Sequence, residues 1–113
     1  MQRIHKSKAL HAVTVHGGVA YVAGIAAADI DTDMASQTRQ ICERIEGFLA
    51  QVGTDKTKLL RAQIFVTDMA KKSEMDAVWI AWLGDDLPSR CTVGVSDLGD
   101  PRRLIEIVVT AAV

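Results

Sequence analysis

Apolar and polar positions fall into blocks of changing period along the chain. Residues 12–15 (AVTV) and 19–23 (VAYVA) are short β-type runs separated by His16-Gly17-Gly18. Glycine tolerates the positive φ that tight hairpin turns need, so two antiparallel strands are predicted here. Aspartates gather at residues 29–34 (DIDTDM), where Asp31 or Asp33 can cap a helix. Ile41, Ile45, Phe48, Leu49 and Val52 then recur at helical spacing, with Ser36, Arg39, Glu43 and Glu46 on the wet side and Gly53 as a stop. Residues 59–67 (LLRAQIFVT) alternate: Leu60, Ala62, Ile64 and Val66 make one face of a strand, Arg61, Gln63 and Phe65 the other. A second helix is expected from Ser73, with Ser73 as cap and Asp76 in the capping-box position. Its apolar positions are Met75, Val78, Trp79 and Trp82, and Gly84 to Pro88 ends it. Residues 91–95 (CTVGV) read as a strand, Gly99-Asp100-Pro101 as a turn, and LIEIVVTAAV as a closing strand.

The predicted order is ββαβαββ, an α+β fold with two helices on one face of one sheet. The closing strand is apolar on both sides: Leu104 and Val108 point one way, Ile105, Ile107 and Val109 the other. Both faces therefore call for cover, and no third helix remains to supply it. Another subunit is the expected cover, which makes the chain an obligate oligomer.

Composition narrows the function classes. At 113 residues, one domain spanning 1–113 is expected, large enough to bury a core without staples. Hydrophobic residues make up 49% and aromatics only 4%, so the core must be aliphatic. A net charge of -1 offers no global attraction for nucleic acid or for anionic lipid. Cys42 and Cys91 match neither a disulfide framework nor a metal-ligand spacing; both read as reduced thiols, in keeping with a cytoplasmic setting. The N-terminal segment lacks the apolar core of a secretory signal, and no apolar run is long enough for a membrane span.

Few side chains suggest chemistry by themselves. Glu106 interrupts the apolar closing strand, where a carboxylate is costly unless paired. Two readings stand open: a carboxylate reaching solvent or a neighbouring subunit's arginine, and a site carboxylate facing a pocket. Arg90 follows Leu87-Pro88-Ser89 at the entry to a strand, where its planar fork could hold a carboxylate. Cys91 has no base placed by motif and reads as structural, as does Cys42. His5, His11 and His16 match no zinc spacing, and the aspartates at 29, 31 and 33 lack the glycine and glutamate of a calcium loop. Trp79 and Trp82 read as core, and Lys71-Lys72 and Arg102-Arg103 as solvated pairs.

Taken together, the blocks resemble the reactive-intermediate deaminase (Rid, YjgF-type) family over nearly the full length. The matching segments are Val22-Ala23-Gly24 after the hairpin and Phe65 to Met69 (FVTDM). Pro88-Ser89-Arg90-Cys91-Thr92-Val93 and Ile105-Glu106-Ile107 follow near the end. The resemblance implies a chorismate-mutase-like homotrimer with ligand pockets at subunit interfaces. It also implies hydrolysis of enamine and imine carboxylates such as 2-aminoacrylate to 2-keto acids and ammonia, with no metal or organic cofactor. Arg90 would grip the substrate carboxylate, helped by the backbone near Cys91 and Thr92 and by the Ala23-Gly24 step, and Glu106 would orient water. The deaminase branch carries Ser-Gly-Gln where this chain has Ala23-Gly24-Ile25, and Asn where it has Asp76. Its N-terminal Gly-Pro-Tyr tyrosine has no counterpart either, Leu10-His11 lying in that region. The AVWIAW helix and the Asp100-Pro101 turn resemble the YoaB-like branch instead. A non-catalytic module that binds small carboxylates is the alternative. RNA cleavage fits poorly with the acidic balance and the absence of an aromatic platform.

Overall fold

Gly17 and Gly18 both take positive φ, 59° and 78°, and close the predicted hairpin in the computed structural model, which describes residues 1–113. The hairpin joins β2 (His11–His16) to β3 (Val19–Val22). One strand precedes it that the pattern did not predict, β1 (Gln2–Lys6), antiparallel to β2 at the sheet edge. Its sequence QRIHK has a single aliphatic residue, so no alternation marks it. The remaining elements are α1 (Met34–Gln51), β4 (Leu59–Val66), α2 (Lys72–Leu83), β5 (Ser89–Gly94) and β6 (Ile105–Ala112).

The six strands form one mixed sheet in the order β1-β2-β3-β6-β4-β5, with only β4 and β5 parallel. β3 and β4 flank β6, each antiparallel to it, so they run the same way and α1 is the crossover between them. α2 crosses from β4 to β5. Both crossovers step in one direction across the sheet, and a shared hand puts both helices on one face. The α+β layering with two helices on one side is thus the expected one, while the strand order gains β1.

That helix-covered face holds the core. Ala20, Val22, Ala62, Ile64, Val66, Ile105, Ile107, Val109 and Ala111 are buried against Met34, Ile41, Ile45, Leu49, Met75 and Trp79. Asp33 is the cap of α1, accepting from the Ser36 N–H at 2.8 Å, whereas Asp31 pairs with Arg102 instead. Phe48 is only half-buried, edge-on to His5. Gln37 is one of three buried polar residues, with Thr38 and Thr54. Its Nε2 donates to the carbonyls of Ile30, Thr32 and Arg102, and its Oε1 accepts from the Leu104 N–H at 3.0 Å. One side chain so ties the loop before α1 to the entry of β6.

Three further expectations are corrected. Leu60 is exposed, because a bulge between Leu59 and Arg61 shifts the register and gives the core position to Leu59. Ser73 does not cap α2; the helix starts one residue earlier, after a 3-10 turn at Met69–Lys71 that Asp68 caps. The basic pairs are not simply solvated: Lys72 bonds Asp76, and Arg102 holds both Asp100 and Asp31. No helix is long and apolar enough to cross a membrane.

Candidate functional site

Arg90 lies inside β5, not in a loop before it, because pairing with β4 begins already at Ser89. Its partner in register is Ala62, which also pairs with Val109 of β6. Both partners are buried under the helices, so Arg90 projects to the helix side of an edge strand. There it meets α2. Arg90 Nη1 lies 2.7 Å from Asp76 Oδ1, a close ion pair set off the line of a hydrogen bond, and reaches Met75 Sδ at 3.9 Å. Nε and Nη2 make no hydrogen bond in the chain.

Asp76 is thereby shared between two cations, its Oδ2 accepting from Lys72 Nζ at 2.6 Å. Desolvation by itself would raise the Asp76 carboxyl, but the contacts and charges of Lys72 and Arg90 outweigh it and hold the carboxyl below the usual range. The pair stands at a cavity of about 250 Å³ lined by Asp76, Trp79, Ile80, Leu87, Pro88 and Arg90. Ile80 and Leu87 are both more than half exposed, so the apolar wall is open. Two residues along β5, Thr92 shares the Arg90 face, and its buried hydroxyl has no partner. As an edge strand, β5 also turns alternate backbone N–H and C=O groups away from β4.

Glu106 belongs to a different place. It pairs with Phe65 on β4, and its neighbour Ile107 points into the core. Alternation puts the Glu106 side chain on the helix-free face. It is half-buried and makes no ion pair or hydrogen bond. Gly24 lies directly against it: a Cβ on Gly24 would stand 2.7 Å from Glu106 Oε2 and 3.0 Å from its carboxyl carbon. Glycine at this step gives the carboxylate its room. Ala23 next to it is held by its N–H to the Ala12 carbonyl at 2.8 Å, and Ile25 bridges to Ile107 with its side chain in the core. Cys91 also looks to the helix-free side and is exposed.

The candidate residues thus divide. Arg90 and Thr92 stand together on one face, with Asp76 against the arginine; Glu106, Gly24 and Ala23 stand together on the other. A single chain does not bring Arg90 and Glu106 to one pocket. By sequence, Asp76 reads as part of a helix cap and Lys72 as solvent-facing. The signal that could have joined them is their i,i+4 spacing on one helix.

The Endoribonuclease L-PSP family model matches residues 2–113, nearly the whole chain. The chain belongs to this family. Among L-PSP relatives, a RutC family protein of Haemophilus ducreyi is 33% identical over 112 residues, covering 98% of this chain and 95% of its own. The RutC family protein YoaB of Escherichia coli is 32% identical over 89% of this chain and 88% of its own, in line with the YoaB-like features of α2 and the Asp100-Pro101 turn. Among solved structures, an uncharacterized protein of Pseudomonas aeruginosa superposes with a TM-score of 0.93 at 31% identity, covering 98% of this chain and 96% of that one. A member of the conserved Rid family from Yersinia pestis gives 0.90 at 28% identity, over 96% and 90%. The L-PSP chain described here has the chorismate-mutase-like α+β fold that its sequence resemblance implied.

Proposed function

We propose that this chain hydrolyses small enamine and imine carboxylates of the 2-aminoacrylate type to 2-keto acids and ammonia, at pockets built between subunits of a homotrimer. The observation that carries the reading is Arg90 at the open apolar cavity, with its Nε and Nη2 edge free to take a carboxylate bidentately. Glu106 supplies the second function, as a carboxylate without any partner in its own chain. The two lie on opposite faces of one sheet, so one site would take Arg90 and Thr92 from one subunit and Glu106, Gly24 and Ala23 from its neighbour. The mixed apolar surface of Phe65, Val93 and Val108 around Glu106, with Tyr21 further along, supports subunit packing on the helix-free face.

The chemistry asks little of the protein. The enamine tautomerises to the imine, whose C2 is already electrophilic. Glu106 accepts a proton as water adds to C2 and passes it to nitrogen, and then carries the hydroxyl proton of the resulting carbinolamine to nitrogen as the C–N bond breaks and the carbonyl forms. The products are the keto acid and ammonia, and no cofactor enters. A coupled assay tests this, with a PLP-dependent dehydratase supplying the enamine and keto-acid formation followed directly. Acceleration by wild type that is lost in Arg90→Ala is the expected result; no acceleration with enamines from serine or threonine overturns it. One observation favours a second reading, a non-catalytic module binding small carboxylates. Ile25 is buried in the core beside the Glu106 step and leaves few polar groups to orient water. Thermal stabilisation by keto acids without turnover would select it.

A further inference from the structure

Asp76 is a costly neighbour for a carboxylate-binding arginine. An anionic ligand on the free edge of Arg90 must approach a second carboxylate that already contacts the same guanidinium at 2.7 Å. Like charges so close repel, a repulsion that Lys72 on the far oxygen of Asp76 tempers. A ligand carrying a cationic nitrogen next to its carboxylate reverses that sign, because the nitrogen stands between the two anions. Asp76 has capacity for it: its side chain is 25% exposed, and a carboxylate oxygen that faces one cation keeps a second lone pair.

We propose that Asp76 makes this pocket a reader of zwitterions. It takes small 2-iminio and 2-ammonio carboxylates, with the carboxylate on Arg90 and the cationic nitrogen on Asp76, and discriminates against 2-oxo carboxylates of the same skeleton. The inference rests on the placement of the ligand carboxylate at Arg90. The apolar wall of Trp79, Ile80, Leu87 and Pro88 accommodates a short aliphatic side chain, and about 250 Å³ suits a ligand of few carbons. Discrimination of this kind combines an attraction with a built-in repulsion. It also eases product release: conversion of the iminium to a carbonyl removes the partner of Asp76, so the product binds less tightly than the substrate.

The test is calorimetric titration of the purified oligomer with 2-aminobutyrate and 2-oxobutyrate, which differ only at C2. Wild type is expected to prefer the amino acid by about 10-fold or more, a preference that one well-placed charge can supply. Asp76→Asn should weaken the amino acid, strengthen the oxo acid and level the ratio, while Asp76→Glu retains part of it. An unchanged ratio in a folded Asp76→Asn protein overturns the inference. If that variant does not fold, Lys72→Met decides: it leaves Asp76 with Arg90 alone, so the preference should rise, and a constant or falling preference overturns the proposal. The Arg90 reading fails separately, when both compounds bind Arg90→Ala as they bind wild type. If neither compound binds wild type at millimolar concentration, both readings fall.

Discussion

The two faces of the sheet treat their charged residues in opposite ways. On the helix side, Arg90 is met by Asp76, and Asp76 by Lys72, within the same chain. On the helix-free side, Glu106 stands half-buried with no partner, in a niche that only a glycine at position 24 leaves open. A charge satisfied within the fold can be a structural device. A half-buried carboxylate left unsatisfied has its partner outside the chain, in water, a ligand or another subunit. The difference teaches that the chain satisfies the charges of one face by itself and leaves the carboxylate of the other to something outside it.

The sharpest way to break this comparison is to separate the halves. Arg90→Ala and Glu106→Gln should each abolish keto-acid formation in the coupled assay. Co-refolded 1:1, they should recover about a quarter of wild-type activity, because random assembly pairs an intact arginine with an intact neighbouring glutamate in that share of sites. No recovery would place both residues of a site in one subunit. The next effect concerns the covered side, where Gln37 serves four backbone groups. Gln37→Ala leaves those groups unpaired and should cost roughly 2–4 kcal/mol in urea unfolding. A loss under about 1 kcal/mol would mean that water replaces the latch.

Smaller effects sharpen the contrast. Gly24→Ala pushes a methyl into the Glu106 carboxylate. Turnover should fall by about 10-fold, with stability changed by less than about 1 kcal/mol, since the side chain can swing away. Equal losses in activity and melting temperature would make the glycine structural instead. The smallest effect is the acid response of the helix-side pair. Folding lowers the Asp76 carboxyl below its ordinary 3.8, so its ionised form adds stability that is complete above that value and is lost as pH falls through the lower folded one. Wild type should exceed Asp76→Asn by about 0.5–1 kcal/mol at pH 7, the range for a screened pair. The gap should close on acidification below pH 3.8. A gap that persists would trace the difference to packing.

Both helices and five of the six strands were legible: the helices and β4 by the spacing of their apolar positions, β2 and β3 by the Gly-Gly turn between them, and β5 and β6 as apolar runs. β1 was not, since an edge strand of polar residues has no buried face to mark. The Leu60 bulge was invisible for a related reason: alternation in sequence cannot register an inserted residue. Arg90 and Glu106 stood out through motif resemblance, but their opposite orientations emerge only from the register of β5 and β6 on β4. Asp76 shows the limit most clearly. Ser-x-x-Asp mimics a capping box, and only the tertiary approach of β5 to α2 turns that aspartate toward an arginine.

Of the two thiols, burial and the nearby Glu46 push Cys42 up to about 12, while Cys91 is exposed on the helix-free side of the edge strand. Alkylating reagents consume thiolates, so the buried one is spared and only the strand thiol is available. The fold therefore comes with a single attachment point for a fluorophore or spin label, one residue from the arginine. The rate at which a dye couples there reports on whether a neighbouring copy covers the helix-free side of that strand, without any engineered cysteine.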